Sequence, residues 1–172
     1  MSFSSSFEID SWWREVLLIT VCSLIGYGAI LIESPWASFV IATLSILQLG
    51  YYLRTTVQNV FKHLQHNDKP IKHCLLLLGL MVAIFIISYG MTFFLLTLAD
   101  TNALKNMNPP SIWYCLFDGI YFSTVTFTAT GFGEITPTTY PAKVVVWGEM
   151  VLGFATSVFA ISSFISLASR SK

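Results

Sequence analysis

Long uninterrupted runs of apolar residues are the feature that most restricts how this chain can fold. Four such runs lie at positions 16–32, 36–53, 74–99 and 144–168, and the first three contain no Asp, Glu, Lys or Arg. A helix rises about 1.5 Å per residue, so roughly 20 residues cross the hydrocarbon of a bilayer, with about 17 as the lower limit. The runs therefore predict an all-α membrane protein with four transmembrane helices.

The composition excludes several other classes of protein. Apolar residues make up 55% of the chain, against nine Lys and Arg and nine Asp and Glu. Such a chain is too apolar to be disordered, and its zero net charge offers no basic field for nucleic acid. We find no nucleophile with a nearby base, no phosphate loop and no metal triad. We therefore expect a lipid bilayer as surroundings, and no enzyme activity, cofactor, nucleic acid or small-molecule substrate.

The positions of the basic residues predict the orientation. Those that follow the second and fourth runs are Arg54, Lys62, Lys69, Lys72, Arg170 and Lys172. Loops rich in Lys and Arg stay in the cytoplasm, so we expect both termini there, in a multi-pass protein of the plasma (inner) membrane. The residues before position 16 are acidic and lack a basic start, so they do not resemble a secretory signal and the first helix should be retained.

Two units are expected along the chain. Residues 33–35 are all that joins the first two runs, which predicts a tight transmembrane hairpin whose second helix begins near Trp36. After it, residues 54–73 form an amphipathic connector that either lies along the membrane surface or continues the second helix. His63 and His66 are read as solvated, since no third metal ligand is near. The units are residues 1–73, the hairpin with its cytoplasmic connector, and residues 74–172.

The segment between the third and fourth runs breaks the helical pattern. Ser111 follows an Asn-Pro-Pro break and can cap a helix over residues 112–125. This helix is shorter than the membrane is thick, so we expect it to be re-entrant.

Two glycines with one aromatic between them, Gly131, Phe132 and Gly133, come shortly after this helix. Glycine reaches positive φ without steric penalty, so such a pair lets successive carbonyls turn to the same side of an extended backbone. Non-helical backbone at membrane depth is tolerated only where it is buried in protein or lines an aqueous path. Cations are therefore the expected partners of these carbonyls.

These residues resemble the pore module of the potassium-channel family, which consists of an outer helix, a short pore helix, a T-x-G-Y/F-G-D/E filter and an inner helix. The resemblance covers residues 74–168 and is most specific over residues 117–137, FDGIYFSTVTFTATGFGEITP. It implies that residues 74–172 are a pore domain and that the chain conducts potassium passively. Because the chain has one filter sequence, four copies would surround a central pore as a homotetramer.

By this resemblance, filter carbonyls from four chains form stacked rings of oxygen around a permeant monovalent cation, K+ or Na+. The residues assigned to this cation site are Thr128, Ala129, Thr130, Gly131, Phe132 and Gly133. Glu134 takes the acidic position at the outer mouth, where Tyr121 can hydrogen-bond the carboxylate. Phe132 is expected to pack against Tyr121 and Trp113.

Two filter residues depart from the family pattern. Ala129 stands where a threonine normally supplies a ring of hydroxyls, and Thr130 replaces a valine, so its hydroxyl must find a partner. Selectivity depends on the number and field strength of the ligands. A weakly selective sodium and potassium channel is thus one alternative, and a non-conducting membrane assembly or sensor subunit is another.

The fourth run carries the inner helix. Gly153 matches the family's hinge position, although close packing would explain a glycine there equally well. Ser157, Ile161 and Ile165 repeat every four residues and would line the cavity. Glu149 is the only charged residue of this run, and in protonated form it could hydrogen-bond the pore helix or a neighbouring subunit. No arginine-rich voltage-sensing helix and no ligand-binding gating domain is expected.

Overall fold

A computed structural model describes Leu17 and residues 20–32, 36–65, 71–107 and 111–170. Its helices are α1 (Thr20–Leu31), α2 (Ala37–Gln65), α3 (Ile71–Ala99), α4 (Ile112–Phe127) and α5 (Tyr140–Arg170). Two short strands, β1 (Leu104–Lys105) and β2 (Thr136–Pro137), pair in antiparallel fashion. The described chain is therefore mostly helical, as the apolar runs predict.

Two of these helices are long and apolar enough to cross a membrane. Within the described residues they are Leu78–Ala99 of α3 and Tyr140–Ser162 of α5. The described part of α1 is apolar but shorter, and α2 includes polar residues such as Gln48 among its apolar ones. The turn at residues 33–35 lies outside the described residues. Spans at α1 and α2, and with them the four-span arrangement, stay a prediction.

The second helix runs on into the first part of the polar connector. α2 is continuous to Gln65, so of the two alternatives for the connector, the structure has the continued helix. This helix packs against both α3 and α5. His66 lies outside the described residues, and nothing of the His63 side chain is described, so their reading as solvated residues stays a prediction.

Aromatic side chains join α2, α3 and α4. Tyr52 of α2 is fully buried with its ring centroid 4.6 Å from that of Phe85 in α3, and Phe85 lies 6.4 Å from Phe127 at the end of α4. Further along, Phe93 and Phe122 pack edge to face at 4.8 Å. Such pairs contribute about 0.5–1.5 kcal/mol each beyond the area that they bury. Helix α4 is thus anchored on α3.

A backbone contact between glycines fixes the crossing of α3 and α4. A Cβ added to Gly119 would lie 2.6 Å from the carbonyl oxygen of Gly90, and one added to Gly90 would lie 2.8 Å from the Cα of Ile120. Small residues allow membrane helices to approach this closely. Any larger residue at either glycine must push the two helices apart.

The strand pair was not predicted from the sequence. Leu104 is opposite Pro137 and Lys105 opposite Thr136, and the N–H of Thr138 donates to the carbonyl of Ala103 at 3.0 Å. Strands of two residues are too short to show an alternating pattern. Their pairing ties the connection between α3 and α4 to the segment that follows the filter.

The helix ends differ slightly from those predicted. Ser111 has the extended backbone of an N-cap residue, but its side chain makes no capping hydrogen bond, so the predicted cap is wrong in this respect. α4 continues to Phe127, two residues past the predicted end at 125. α5 begins at Tyr140 rather than at 144, because Pro141 in the first turn lacks an N–H that would have no helical partner anyway.

Candidate functional site

Residues 128–134 form an exposed stretch without helix or strand that directly follows α4. Ala129, Gly131 and Gly133 have φ angles of 55°, 57° and 81°, whereas Thr130 and Phe132 between them do not have positive φ. A strict alternation of left-handed and ordinary residues allows successive carbonyls to face one side. Gly131 and Gly133 both have the positive φ that their sequence predicts. Ala129 extends the alternation by one step, which its identity did not indicate, since a left-handed alanine costs about 1–2 kcal/mol.

Hydrogen bonds to the end of α4 hold the start of this stretch through its N–H groups. The N–H of Ala129 donates to Thr126 O at 3.1 Å, and that of Thr130 donates to Val125 O at 3.0 Å. By contrast, none of the carbonyls of residues 129–132 accepts a hydrogen bond from any described residue. The stretch therefore presents a row of carbonyl oxygens that one chain leaves unpaired, and such groups need a partner outside the chain.

The hydroxyl of Thr130 has a hydrogen-bond partner, as the sequence analysis predicted. Its Oγ1 lies 2.9 Å from Oγ1 of Thr128. Thr128 in turn donates to the carbonyl of Thr124 at 2.7 Å. Because a hydroxyl has a single proton, Thr130 is the donor of the first bond and Thr128 its acceptor. The unusual threonine is thus part of a short chain of hydrogen bonds that leads back to α4.

The outer end of the stretch is held at Glu134 from two directions. The hydroxyl of Tyr121 donates to Oε1 of Glu134, the bond expected from the resemblance. Asn106 donates from Nδ2 to the carbonyl oxygen of Glu134 at 2.8 Å. Asn106 has a φ of 63°, a conformation that asparagine adopts more readily than most residues. Sequence reasoning missed Asn106 because it is 28 positions from Glu134, and no local pattern links the two.

Two acidic residues, Asp118 and Glu134, lie close to each other at this end of the stretch. The hydrogen bond to Glu134, followed by burial and by the charge of that carboxylate, raises the pKa of Tyr121. Burial and the nearby Glu134 also raise the pKa of Asp118 above its ordinary value. The Glu134 carboxylate therefore disfavours the ionisation of Asp118, and a cation bound near the two groups would relieve this repulsion.

The aromatic residues expected behind the filter do not pack together within one chain. Phe132 is 68% exposed and Trp113 is 76% exposed, and Phe132 forms no ring contact with either Trp113 or Tyr121 among the described residues. Instead, Phe132 and Tyr121 line a cavity of about 260 Å³ between residues 129–137, α4 and α5. Phe132 therefore lacks these ring contacts within one chain, and its packing against pore-helix aromatics in an assembly stays a prediction.

Helix α5 touches the end of α4 at Gly153. A Cβ there would lie 2.4 Å from the carbonyl oxygen of Phe127, so close packing accounts for this glycine, and its role as a hinge stays a prediction. Ser157, Ile161 and Ile165 are all exposed in the single chain, as residues of a cavity wall would be. Their role in lining a cavity also stays a prediction.

Glu149 lies on the buried side of the same helix. It has no exposed surface, and its Oε1 is hydrogen-bonded to the hydroxyl of Ser123 in α4. Within one chain, Glu149 is thus bonded to α4, the helix that the sequence predicts to be the pore helix. Sequence reasoning could not name Ser123, because the two residues are 26 positions apart.

Residues 109–170 match a family model described as an ion channel. The match includes α4, the stretch 128–134 and α5. No curated protein and no solved structure matches the chain.

Proposed function

Residues 109–170 of this chain belong to the pore-loop ion-channel family, and from this premise we propose that the protein is a homotetrameric channel that conducts potassium passively across a membrane. The filter is the stretch 128–134, in which carbonyls replace the hydration shell of the ion. The permeant species is a monovalent cation, and neither a cofactor nor an enzymatic step takes part.

The observation that carries this proposal is the row of unpaired carbonyls at residues 129–132, which follows a short helix and alternates in backbone handedness. In a membrane no water is at hand to satisfy such oxygens, so they must be buried in protein or face an aqueous path. Dehydrated cations are the partners that a converging set of carbonyl dipoles attracts. An anion would be repelled by the same dipoles.

The exposed surface of the single chain supports an assembly of four. Phe132, Trp113, Trp147 and Phe154 are large apolar residues that stand exposed around the filter and along α5. One chain provides only one filter strand, so a closed ring of ligands requires rotational symmetry. In the tetramer Phe132 packs on pore-helix aromatics of a neighbouring subunit, which accounts for its lack of ring contacts within one chain.

Each region has its part in conduction. Glu134 in four copies rings the outer mouth and raises the local concentration of cations, while Tyr121 fixes its carboxylate. Ser157, Ile161 and Ile165 line the inner cavity, and Gly153 lets α5 approach the filter. The hairpin of α1 and α2 adds two further spans, so that both termini are cytoplasmic in the plasma membrane.

A weakly selective sodium and potassium channel is the second candidate, because Ala129 offers no hydroxyl and Thr130 replaces an apolar residue. Purified protein in planar bilayers, under a potassium gradient opposed by sodium, separates the two. We expect a reversal potential close to that of potassium. A value near zero would establish the weakly selective channel instead.

The missing hydroxyl can be restored by substitution. Ala129→Thr would restore the family residue, but a β-branched side chain is strained at a φ of 55°. We therefore expect Ala129→Ser to raise the permeability ratio of potassium to sodium about threefold to tenfold, since four hydroxyls add ligands to the innermost ring. Ala129→Gly is the matched control, because it relieves the backbone without adding a ligand. Equal ratios in both variants would contradict the assignment of Ala129 to the filter.

The hydrogen bond from Asn106 to the carbonyl oxygen of Glu134 predicts a second effect. Asn106→Gly keeps the left-handed backbone but removes the donor to Glu134, so we expect potassium flux to fall about twofold to tenfold, the equivalent of one hydrogen bond. Asn102→Gly changes the same loop without removing that donor and should leave flux unchanged. Flux is measured in liposomes at matched protein density. Equal flux in the two variants would show that the hydrogen bond from Asn106 to Glu134 is not needed for conduction.

The non-conducting alternative is tested by flux itself. Liposomes that contain the purified chain should take up rubidium or potassium down a gradient, and barium should block the uptake. If uptake equals that of empty liposomes, the chain is an assembly or sensor subunit that retains the pore fold.

A further inference from the structure

Three helices meet at one hydroxyl group behind the filter. The Oγ of Ser123, in α4, lies 2.9 Å from the carbonyl oxygen of Ile86 in α3. The same Oγ is hydrogen-bonded to Oε1 of Glu149 in α5. Ser123 and Glu149 are both completely buried. The hydroxyl therefore links the outer helix, the pore helix and the inner helix at a single point.

A count of protons decides the state of the carboxyl group. The Ser123 hydroxyl has one proton, and the Ile86 carbonyl can only accept. If Glu149 were ionised, it too could only accept, and one of the two contacts would set acceptor against acceptor. If Glu149 is protonated, its O–H donates to Ser123, and Ser123 donates to Ile86. Only the neutral acid satisfies both contacts.

The surroundings of Glu149 favour the same state. Its second oxygen, Oε2, is buried and has no hydrogen-bond partner among the described residues. Glu149 also lies within the span Tyr140–Ser162, and no described Lys or Arg side chain pairs with it. The titratable residue that faces it from α3 is Tyr89, which is uncharged at neutral pH. An ionised carboxylate that has no donor at its second oxygen and no counter-charge is costly at such a place.

We propose that Glu149 is a protonated carboxylic acid that positions the filter by donating a hydrogen bond to Ser123. Ser123 lies five residues before Thr128, on the helix whose carboxyl end carries the filter. The acid therefore fixes the filter relative to the cavity helix α5, and through Ile86 relative to α3. This inference rests on the proposed channel function for its effect on conduction, while the protonation state can be measured without it.

The first test is infrared spectroscopy of the reconstituted full chain at neutral pH. We expect a carbonyl stretching band of a protonated carboxylic acid that shifts in deuterated water and disappears in Glu149→Gln. A spectrum in which the variant and the native chain have the same carboxylic acid bands would overturn the proposal. Because this readout does not depend on conduction, a chain without any flux would refute the proposed function and leave this result standing.

The second test is potassium flux through variants of the pair. The amide of Glu149→Gln can still donate to Ser123, so its flux should stay within about twofold of the native value. Glu149→Ala and Ser123→Ala break the link and should lose about tenfold or more. Thr92→Val is the control for the lost hydroxyl, since Thr92 donates only to Ser88 in its own helix at 3.0 Å, and it should conduct normally. If Gln and Ala at position 149 reduce flux equally, hydrogen bonding by Glu149 does not position the filter.

Discussion

Flux of potassium through a Gly153→Ala variant is expected to fall at least about tenfold below that of the native chain. The added Cβ would lie 2.4 Å from the carbonyl oxygen of Phe127, which is backbone and cannot rotate away. Either α5 or the end of α4 must therefore move. Because the proposed filter begins at Thr128, directly after Phe127, this movement would displace the filter. We expect the variant to assemble and to conduct poorly, as measured by uptake into liposomes at matched protein density.

Gly148→Ala is the matched control for this prediction. It lies on the same helix and gains the same helix propensity, about 1 kcal/mol. Its Cβ would lie 3.4 Å from Cδ2 of Leu49, an ordinary contact with the end of a flexible side chain. This variant should conduct like the native chain. If Gly153→Ala conducted equally well, packing against Phe127 would not be the reason for a glycine at position 153.

A second large effect is expected at the crossing of α3 and α4. In Gly90→Ala the new Cβ would lie 2.8 Å from the Cα of Ile120 and 3.0 Å from its N. Such overpacking costs about 1–3 kcal/mol, which lowers the apparent unfolding temperature of a chain of this size by about 2–12 °C. The measurement is thermal unfolding of the purified protein in detergent, followed by tryptophan fluorescence.

Gly79→Ala tests the same substitution on the same helix without the contact. No atom lies within 4 Å of a Cβ at position 79, so alanine should leave the unfolding temperature unchanged or raise it by favouring the helix. A drop as large as that of Gly90→Ala would mean that glycine flexibility in α3, rather than its approach to α4, governs stability.

The helices of this protein follow from local patterns in the chain. Apolar runs of membrane length predicted α3 and α5, and an Asn-Pro-Pro break before a shorter apolar stretch predicted α4 as a separate helix. The G-x-G pair predicted the positive φ of Gly131 and Gly133. These features are readable because length, apolarity and the absence of a Cβ act within a few residues of each other.

Contacts between distant residues could not be read in this way. The bond from Asn106 to Glu134 joins positions 28 apart, and that from Ser123 to Glu149 joins positions 26 apart. Gly153 illustrates the difference, since the sequence left bending and packing equally open until the carbonyl of Phe127 was seen beside it. The chain's own order of residues decided which segments become helices and where the backbone can turn left-handed. Only the folded arrangement decided which polar groups meet, because hydrogen bonds and backbone contacts depend on distances in space that no periodicity along the chain encodes.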